Sequence, residues 1–370
     1  MSKTTYTGAP RRDSRFELLR ILAMLSIVLC HVVANNGWML EQRPGKTGIM
    51  ALAVDQFMGQ FGVALFFMLS GFFMIGRTRM GWWHIGKVMI QTFTYSIICL
   101  LSAMVLFHVD VTPKDIYRSV FPVLNDTYWF VTAYVLMLLA APFINGMFER
   151  TGQATQSRFI VALLLLGIVP YISFMGFAYN GLQWTTSMYA ICCYAIGGYI
   201  RRYRESIWPK FNMFRLLVIG VIGFVALTVF LWAAIRQISI ASFFQWQPRS
   251  LYGSLPVFSI ITAAGALLLV AKSYGSAGNG IADRIINTVA SLTFGIYLIH
   301  QHPVLLPPLW GMIGHIVQYP GNPLAGLAVL LVESVVLFAV LGVLAWIIDH
   351  IIIHPLQHAV HIGCQRLGML

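Results

Sequence analysis

Charge is what this chain has least of. Of its 370 residues only 10% are Asp, Glu, Lys or Arg, while 58% are hydrophobic. A water-soluble domain carries about a quarter charged residues. The shortage excludes an ordinary soluble enzyme and predicts a polytopic membrane protein with no length left for a sizeable soluble domain. Other absences narrow the chemistry. No internal repeat, low-complexity tract or linker divides the sequence. There is no HExxH motif, Walker loop, GxSxG elbow or Rossmann fingerprint. His354 and His358 stand four apart but have no supporting carboxylate set, so no metal site is expected. Five cysteines (Cys30, Cys99, Cys192, Cys193 and Cys364) lack metal-type spacing and predict no disulfide framework.

What the chain does have is apolar length. Runs able to cross a bilayer recur at about 17–38, 56–76, 86–107, 128–147, 158–177, 185–201, 214–235, 254–272, 285–306 and 326–350, predicting an all-α membrane bundle of about ten spans. The N-terminal MSKTTYTGAPRRDSR is polar and basic. The run after it is too long for a signal-peptide core and lacks a small-residue cleavage site, so it is expected to stay as the first span. The organisation expected is a cytoplasmic tail (1–16), a membrane domain (17–350) and a second cytoplasmic tail (351–370). With both termini cytoplasmic, 18 of the 24 Lys and Arg residues fall in inner segments, as the positive-inside rule requires. The net charge of +12 mostly reflects this bias and suits the anionic inner leaflet of a plasma (inner) membrane. No aromatic–basic groove or nucleic-acid module accompanies it, so membrane lipids, not nucleic acid, are the expected surroundings. Outer segments 39–55 and 108–127 carry Glu41, Asp55, Asp110, Asp115 and Asp126, and 307–325 is an uncharged Pro/Gly-rich stretch.

Ionisable groups inside apolar spans are costly and mark function by default. The first span, FELLRILAMLSIVLCHVVANNGW, holds Glu17, Arg20 and His31. Eleven residues turn a helix through three turns plus about 20°, so Arg20 and His31 share a face, about 16 Å apart along the axis. One stripe thus carries a permanent cation near one membrane surface and a titratable base deep inside. His31, His300 in the ninth span and Glu333 in the tenth fall at nearly one depth, in the outer half. Together they would form a proton-handling cluster where their helices meet. Each also has a plainer reading: a membrane histidine bonds a backbone carbonyl, Arg20 snorkels to head groups, and Glu17 pairs with Arg20 one turn away. FFMLSGFFMIG sets Ser70 and Gly71 in an aromatic span, either for close helix packing or as a notch admitting a thin ligand chain. Tyr128 and Trp129 belong to an interfacial aromatic belt or stack on a sugar. The arginines of RTRMGWWHIGK and RRYRESIWPK fix topology, and offer polyphosphate contacts on the inner face.

Five of these elements, in order, resemble the membrane acyltransferase family 3, integral membrane enzymes that modify cell-surface glycans. They are the Arg20-x10-His31 pair, FFMLSGFFM, YWFVTAYVLMLLAAPFI, YAIGGYIRR and SLTFGIYLIHQHPVL. The resemblance runs from about residue 14 to 350. It implies O-acyl transfer, most often of acetyl, from cytoplasmic acyl-CoA (acetyl-CoA) to a hydroxyl of an envelope glycan or lipid-linked sugar at the outer side. It also implies His31, Glu333 and His300 as catalytic residues, His31 being a base or a transient acyl carrier. Arg20, Ser70, Gly71, Arg77 and Arg79 would meet the donor, and Tyr128 and Trp129 the sugar. Two features depart from the family pattern. The inner loop reads Arg77, Arg79, Lys87 instead of an arginine pair spaced by two and followed by proline. Ile353 stands where a glutamate usually precedes the last proline, here Pro355. The competing reading is a proton-coupled transporter or flippase of a lipid-linked sugar, disfavoured by the lack of an internal repeat.

Overall fold

Among the described residues each expected span overlaps a helix, although only some of these helices are long and apolar enough to cross a membrane and several begin, break or end where hydropathy alone does not place them. The computed structural model describes residues 12–38, 45–79, 81–125, 127–168, 186–235, 256–274, 280–316 and 322–366. Within them the architecture is all-α, with no strand. In chain order the helices are α1 Ser14–Asn35, α2 Lys46–Met74, α3 Trp82–Leu106, α4 Pro113–Val120, α5 Trp129–Arg150, α6 Gln153–Ile168, α7 Thr186–Tyr203, α8 Met213–Ile235, α9 Val257–Ala271, α10 Ile281–Ser291, α11 Thr293–His300, α12 Leu306–Ile316, α13 Pro323–Ile348 and α14 His354–Arg366. Six helical stretches among the described residues are long and apolar enough to cross a membrane: α1, α2, α3, α5, most of α8, and Ala325–Arg366. The other expected spans fall on α6, α7, α9 and the α10–α11 pair. Residues 169–177 of the expected fifth span, and Glu41 and Asp126 of the outer segments, lie outside the described residues.

The helix α1 is central. Asp13 caps its start by accepting from the Arg15 amide at 3.2 Å, and its length lies along α2, with further contacts to α9, α10, α11 and α13. Ser14 donates to Asp283 at the start of α10, and the Arg15 guanidinium donates to the Ser273 carbonyl just past α9 at 2.7 Å. Arg201 from the end of α7 stacks 3.8 Å over the Tyr274 ring, which meets Phe16 and Phe72. One end of the bundle therefore gathers the starts of α1 and α10 with the ends of α2, α7 and α9, as up-and-down threading of these helices requires.

Two glycine contacts set how closely α2 and α7 approach. A Cβ on Gly71 would strike the Tyr194 backbone, and one on Gly197 the Met68 backbone. Each helix presents a glycine to the other's main chain, so Gly71 opens no notch for a ligand: α7 fills it.

Three segments expected on the outer side are more ordered than their composition suggests. The expected loop 39–55 is helical from Lys46, so Asp55 lies inside α2. Its charge ends the apolar window, but the Cys30 thiol donates to its carboxylate at 2.9 Å. Within 108–127, Thr112 and Asp115 form a reciprocal capping box with Pro113 at the first turn, starting α4. Pro307 and Pro308 likewise sit in the first turn of α12, where proline is tolerated. The ninth span breaks at Leu292 and its helix ends at His300. Beyond α13 a π-turn, Asp349–Ile353, runs into α14.

Candidate functional site

Two histidines from distant helices meet where α1 and α11 cross. His31 Nδ1 lies 2.9 Å from His300 Nε2, with ring centroids 5.0 Å apart. The other nitrogen of His300, Nδ1, is 2.6 Å from the Ile296 carbonyl of its own helix. A carbonyl only accepts, so His300 Nδ1 carries the proton, and in the neutral ring Nε2 is bare. His31 Nδ1 must then donate to it. That order leaves His31 Nε2 with a free lone pair, held in orientation by the bond on the far side of the ring. His300 is wholly enclosed while His31 is only partly so.

The third group of the expected cluster is near in depth but apart in bonding. Glu333, from α13, is buried, and neither of its carboxylate oxygens has a hydrogen-bond partner. Asn36, the residue that closes α1, is its polar neighbour. Glu333 faces an apolar cavity between α3, α12 and α13. The structure thus brings His31 and His300 together and leaves Glu333 beside them on a separate surface.

Tyr128 is buried, and its hydroxyl donates to the Leu298 carbonyl at 3.1 Å while its ring lies 6.0 Å from that of Tyr297. It is a strut holding α11, and hence His300, against α5, with no ring face open to a sugar. Trp129 is half-buried, edge-on to Phe130. His302 continues the corner beyond α11: its Nδ1 accepts from the Leu305 amide at 3.4 Å, so its Nε2 donates to the buried Ser119 of α4 at 3.3 Å. In α4 the Thr112 hydroxyl donates to Asp115 at 2.6 Å and the Thr112 amide at 3.1 Å, which holds the Asp115 carboxyl below the usual carboxylate range.

Lower on α1, Arg20 pairs with Glu17 across one helical turn. Glu17 is buried, and the guanidinium remains partly accessible. The Ser70 hydroxyl donates to the Phe66 carbonyl at 3.1 Å and lies against the Tyr134 hydroxyl, itself within electrostatic reach of Arg20 and 3.3 Å from His84 Nε2. His84 in turn feels Arg77 and Lys87. Arg77 and Arg79 are exposed in the turn after α2. That turn is pinned by the buried Asn145 of α5, whose Nδ2 donates to the Met74 carbonyl at 2.8 Å and the Arg77 carbonyl at 2.7 Å while its oxygen accepts from Tyr194 at 2.9 Å.

Sequence reasoning missed Tyr134, His84 and Asn145, which enter only through tertiary contact, and it set Asp55 in an outer loop, whereas it lies inside α2. It also missed Asp349, one turn before Ile353. This buried carboxylate in the π-turn accepts from Tyr95 at 2.8 Å and Gln91 at 3.2 Å. Gly295 of α11 makes room for the Tyr95 hydroxyl, which a Cβ there would approach to 2.5 Å. An ionisable side chain late in the last span was the available signal. No group of three or more potential metal ligands occurs among the described residues.

A family model described as an acyltransferase domain, that of acyltransferase family 3, matches residues 13–349. No curated protein matches the chain, and no solved structure matches it.

Proposed function

The chain belongs to acyltransferase family 3 and is a membrane acyltransferase, and we propose that it moves an acetyl group from cytoplasmic acetyl-CoA to a hydroxyl of an envelope or lipid-linked sugar at the outer side of the plasma membrane. The observation that carries the site assignment is the 2.9 Å contact between His31 and His300. With its Nδ1–H committed to His300, His31 presents Nε2 as base or nucleophile.

Two routes use that one lone pair. In direct transfer, Nε2 takes the proton of the acceptor hydroxyl as its oxygen attacks the thioester carbonyl. The C–S bond then breaks, and the departing thiolate takes the proton back from His31. In the two-step route, Nε2 itself attacks the carbonyl, the C–S bond breaks and CoA leaves as its thiolate, giving an acyl-imidazolium that keeps its Nδ1–H. The sugar oxygen then attacks the acyl carbon, the C–N bond breaks to restore neutral His31, and the hydroxyl proton passes to the thiolate. In both, positive charge that develops on His31 is stabilised through Nδ1–H by His300, whose own orientation is fixed by Ile296.

Donor contacts fall in the other half of α1. Arg20 is the cation on α1, and Arg77 and Arg79 are exposed in the turn after α2. Phosphate binding by Arg20 has to compete with Glu17, so Glu17 tunes the affinity of the donor instead of merely neutralising its neighbour. The Ser70–Tyr134–His84 chain lines the way upward as a polar strip for the amides of a pantetheine arm.

The test is release or transfer of acetyl from labelled acetyl-CoA by the purified protein. His31→Ala is expected to abolish turnover while leaving the thermal unfolding profile unchanged. Turnover retained in that variant overturns the assignment.

A further inference from the structure

The turn after α2 has a locked backbone and open side chains. Gly71 stands against the Tyr194 main chain, and one turn later Ile75 packs on Gly198 of α7, where a Cβ would strike it. The Arg77 amide donates to the Met74 carbonyl at 2.9 Å, closing the turn. The Met74 and Arg77 carbonyls both accept from Asn145 Nδ2, at 2.8 and 2.7 Å. Arg77, Thr78 and Arg79 are nonetheless exposed, and among the described residues neither arginine pairs with a carboxylate.

Asn145 joins these facts. It comes from α5 and is wholly buried. Carbonyls only accept, so the two backbone oxygens take both N–H bonds of its amide. Its own oxygen must then face Tyr194, whose hydroxyl donates to it at 2.9 Å. Partners on two other elements thus decide how the amide stands, and every amide proton is committed. Breaking such a buried set leaves polar groups unsatisfied, which makes the arrangement stiff. The loop is tied at its carbonyls while its guanidinium groups stay free to reach a ligand.

A platform of this kind suits a multiply charged anion. Arginine holds phosphate oxygens through paired N–H bonds, and a fixed backbone lowers the ordering cost of the contact. Arg77 also lies within electrostatic reach of His84, the foot of the Ser70–Tyr134–His84 strip. An arm attached to an anion on these arginines therefore begins at that strip.

We propose that Asn145 is a positioning residue for the donor. With Tyr194 it fixes the turn so that Arg77 and Arg79 meet the phosphates of a nucleotide-borne acyl thioester, which sets a preference for acyl-CoA over the same acyl-pantetheine without its nucleotide. The role rests on the acyl-CoA reading for the identity of the anion.

The probes are labelled acetyl-CoA and labelled S-acetylpantetheine, each given to the purified full-length protein, with kcat and KM read from acetyl release. Asn145→Ala is expected to raise KM for acetyl-CoA about tenfold, with kcat within about twofold and KM for S-acetylpantetheine unchanged. Tyr194→Phe removes one hydroxyl and keeps the ring, so it is expected to show the same pattern at about threefold. In the Arg77→Ala, Arg79→Ala background, adding Asn145→Ala is expected to change KM no further, because the groups it positions are gone. Gln156 supplies the control. It is buried, and its Nε2 donates to the Phe148 and Thr151 carbonyls at 2.8 and 2.7 Å, an amide clamp on the turn after α5. Gln156→Ala is expected to lower the unfolding midpoint and leave both KM values in place. Hydrogen exchange over 74–79 is expected to rise in Asn145→Ala and not in Gln156→Ala. An equal KM rise for both donors, a loss confined to kcat, an effect that persists in full without the arginines, or a matching KM rise in Gln156→Ala overturns the proposal. Acetyl release by the parent with KM unmoved in Asn145→Ala sinks the positioning role alone. No release from either donor by the parent sinks the acyl-transfer reading, and the role with it.

Discussion

At the scale of single residues, the site turns on which nitrogen holds which proton. The Ile296 carbonyl decides the tautomer of His300, His300 decides that of His31, and the free lone pair follows. His300 therefore acts through His31 and is a positioning residue. His300→Ala is expected to lower kcat about 100-fold or more, with KM for acetyl-CoA nearly unchanged, because the proposed donor contacts lie in the other half of α1. Steady-state kinetics checks this, and a loss falling mainly on KM would show that His300 belongs to donor binding instead. The stripe of Arg20 and His31 was legible in the sequence because both stand on one helix, where periodicity fixes their relation. The His31–His300 bond was legible only as a shared depth, since hydropathy does not say which helices touch. Asp55 was not legible as an intramembrane group. Its charge closes the apolar window, and only the Cys30 thiol from a neighbouring helix explains its place inside α2.

Among elements, α2 and α7 are held by reciprocal contact between a glycine and a main chain, and the same glycines carry the family resemblance. Gly71→Ala inserts a methyl where the Tyr194 backbone already stands, with no flexible side chain to give way. The expected cost is about 1–3 kcal/mol, read as a lower midpoint of thermal unfolding in detergent, and Ser70→Ala beside it is expected to cost far less. The short helix α4 responds to pH instead. Its capping box holds Asp115 below the ordinary carboxylate range, so the cap contributes above that ordinary value, about pH 4. The contribution fades as acid carries the pH down through the lower folded value. Hydrogen exchange across 113–120 is expected to rise on acidification below about pH 4, and Thr112→Ala to raise it already at neutral pH. Because α4 holds His302 through Ser119, that loosening reaches the corner after α11. The capping residues were present in the sequence all along, but a charged, eight-residue helix leaves no trace in a search for membrane-length apolar runs.

At the scale of the whole molecule, the arrangement makes sense only if the two ends of the bundle face different compartments. The Arg20 end gathers Arg15, Arg201 and Arg204 around Tyr274, while the His31 end carries His302 and α4. On the proposed reading, the excess of Lys and Arg in alternate loops sets the Arg20 end in the cytoplasm, on the side of the proposed acyl-CoA donor. This orientation is directly testable with a membrane-impermeant maleimide on intact cells and on permeabilised ones, the modified peptides being identified by mass spectrometry. Leu124, between α4 and α5, is 82% exposed, so Leu124→Cys is expected to label in intact cells. The native Cys364 in α14 is expected to label only after permeabilisation. The opposite pattern would set the histidine pair towards the cytoplasm and Arg20 away from its donor, and the route from acyl-CoA below to sugar above would then have to be abandoned.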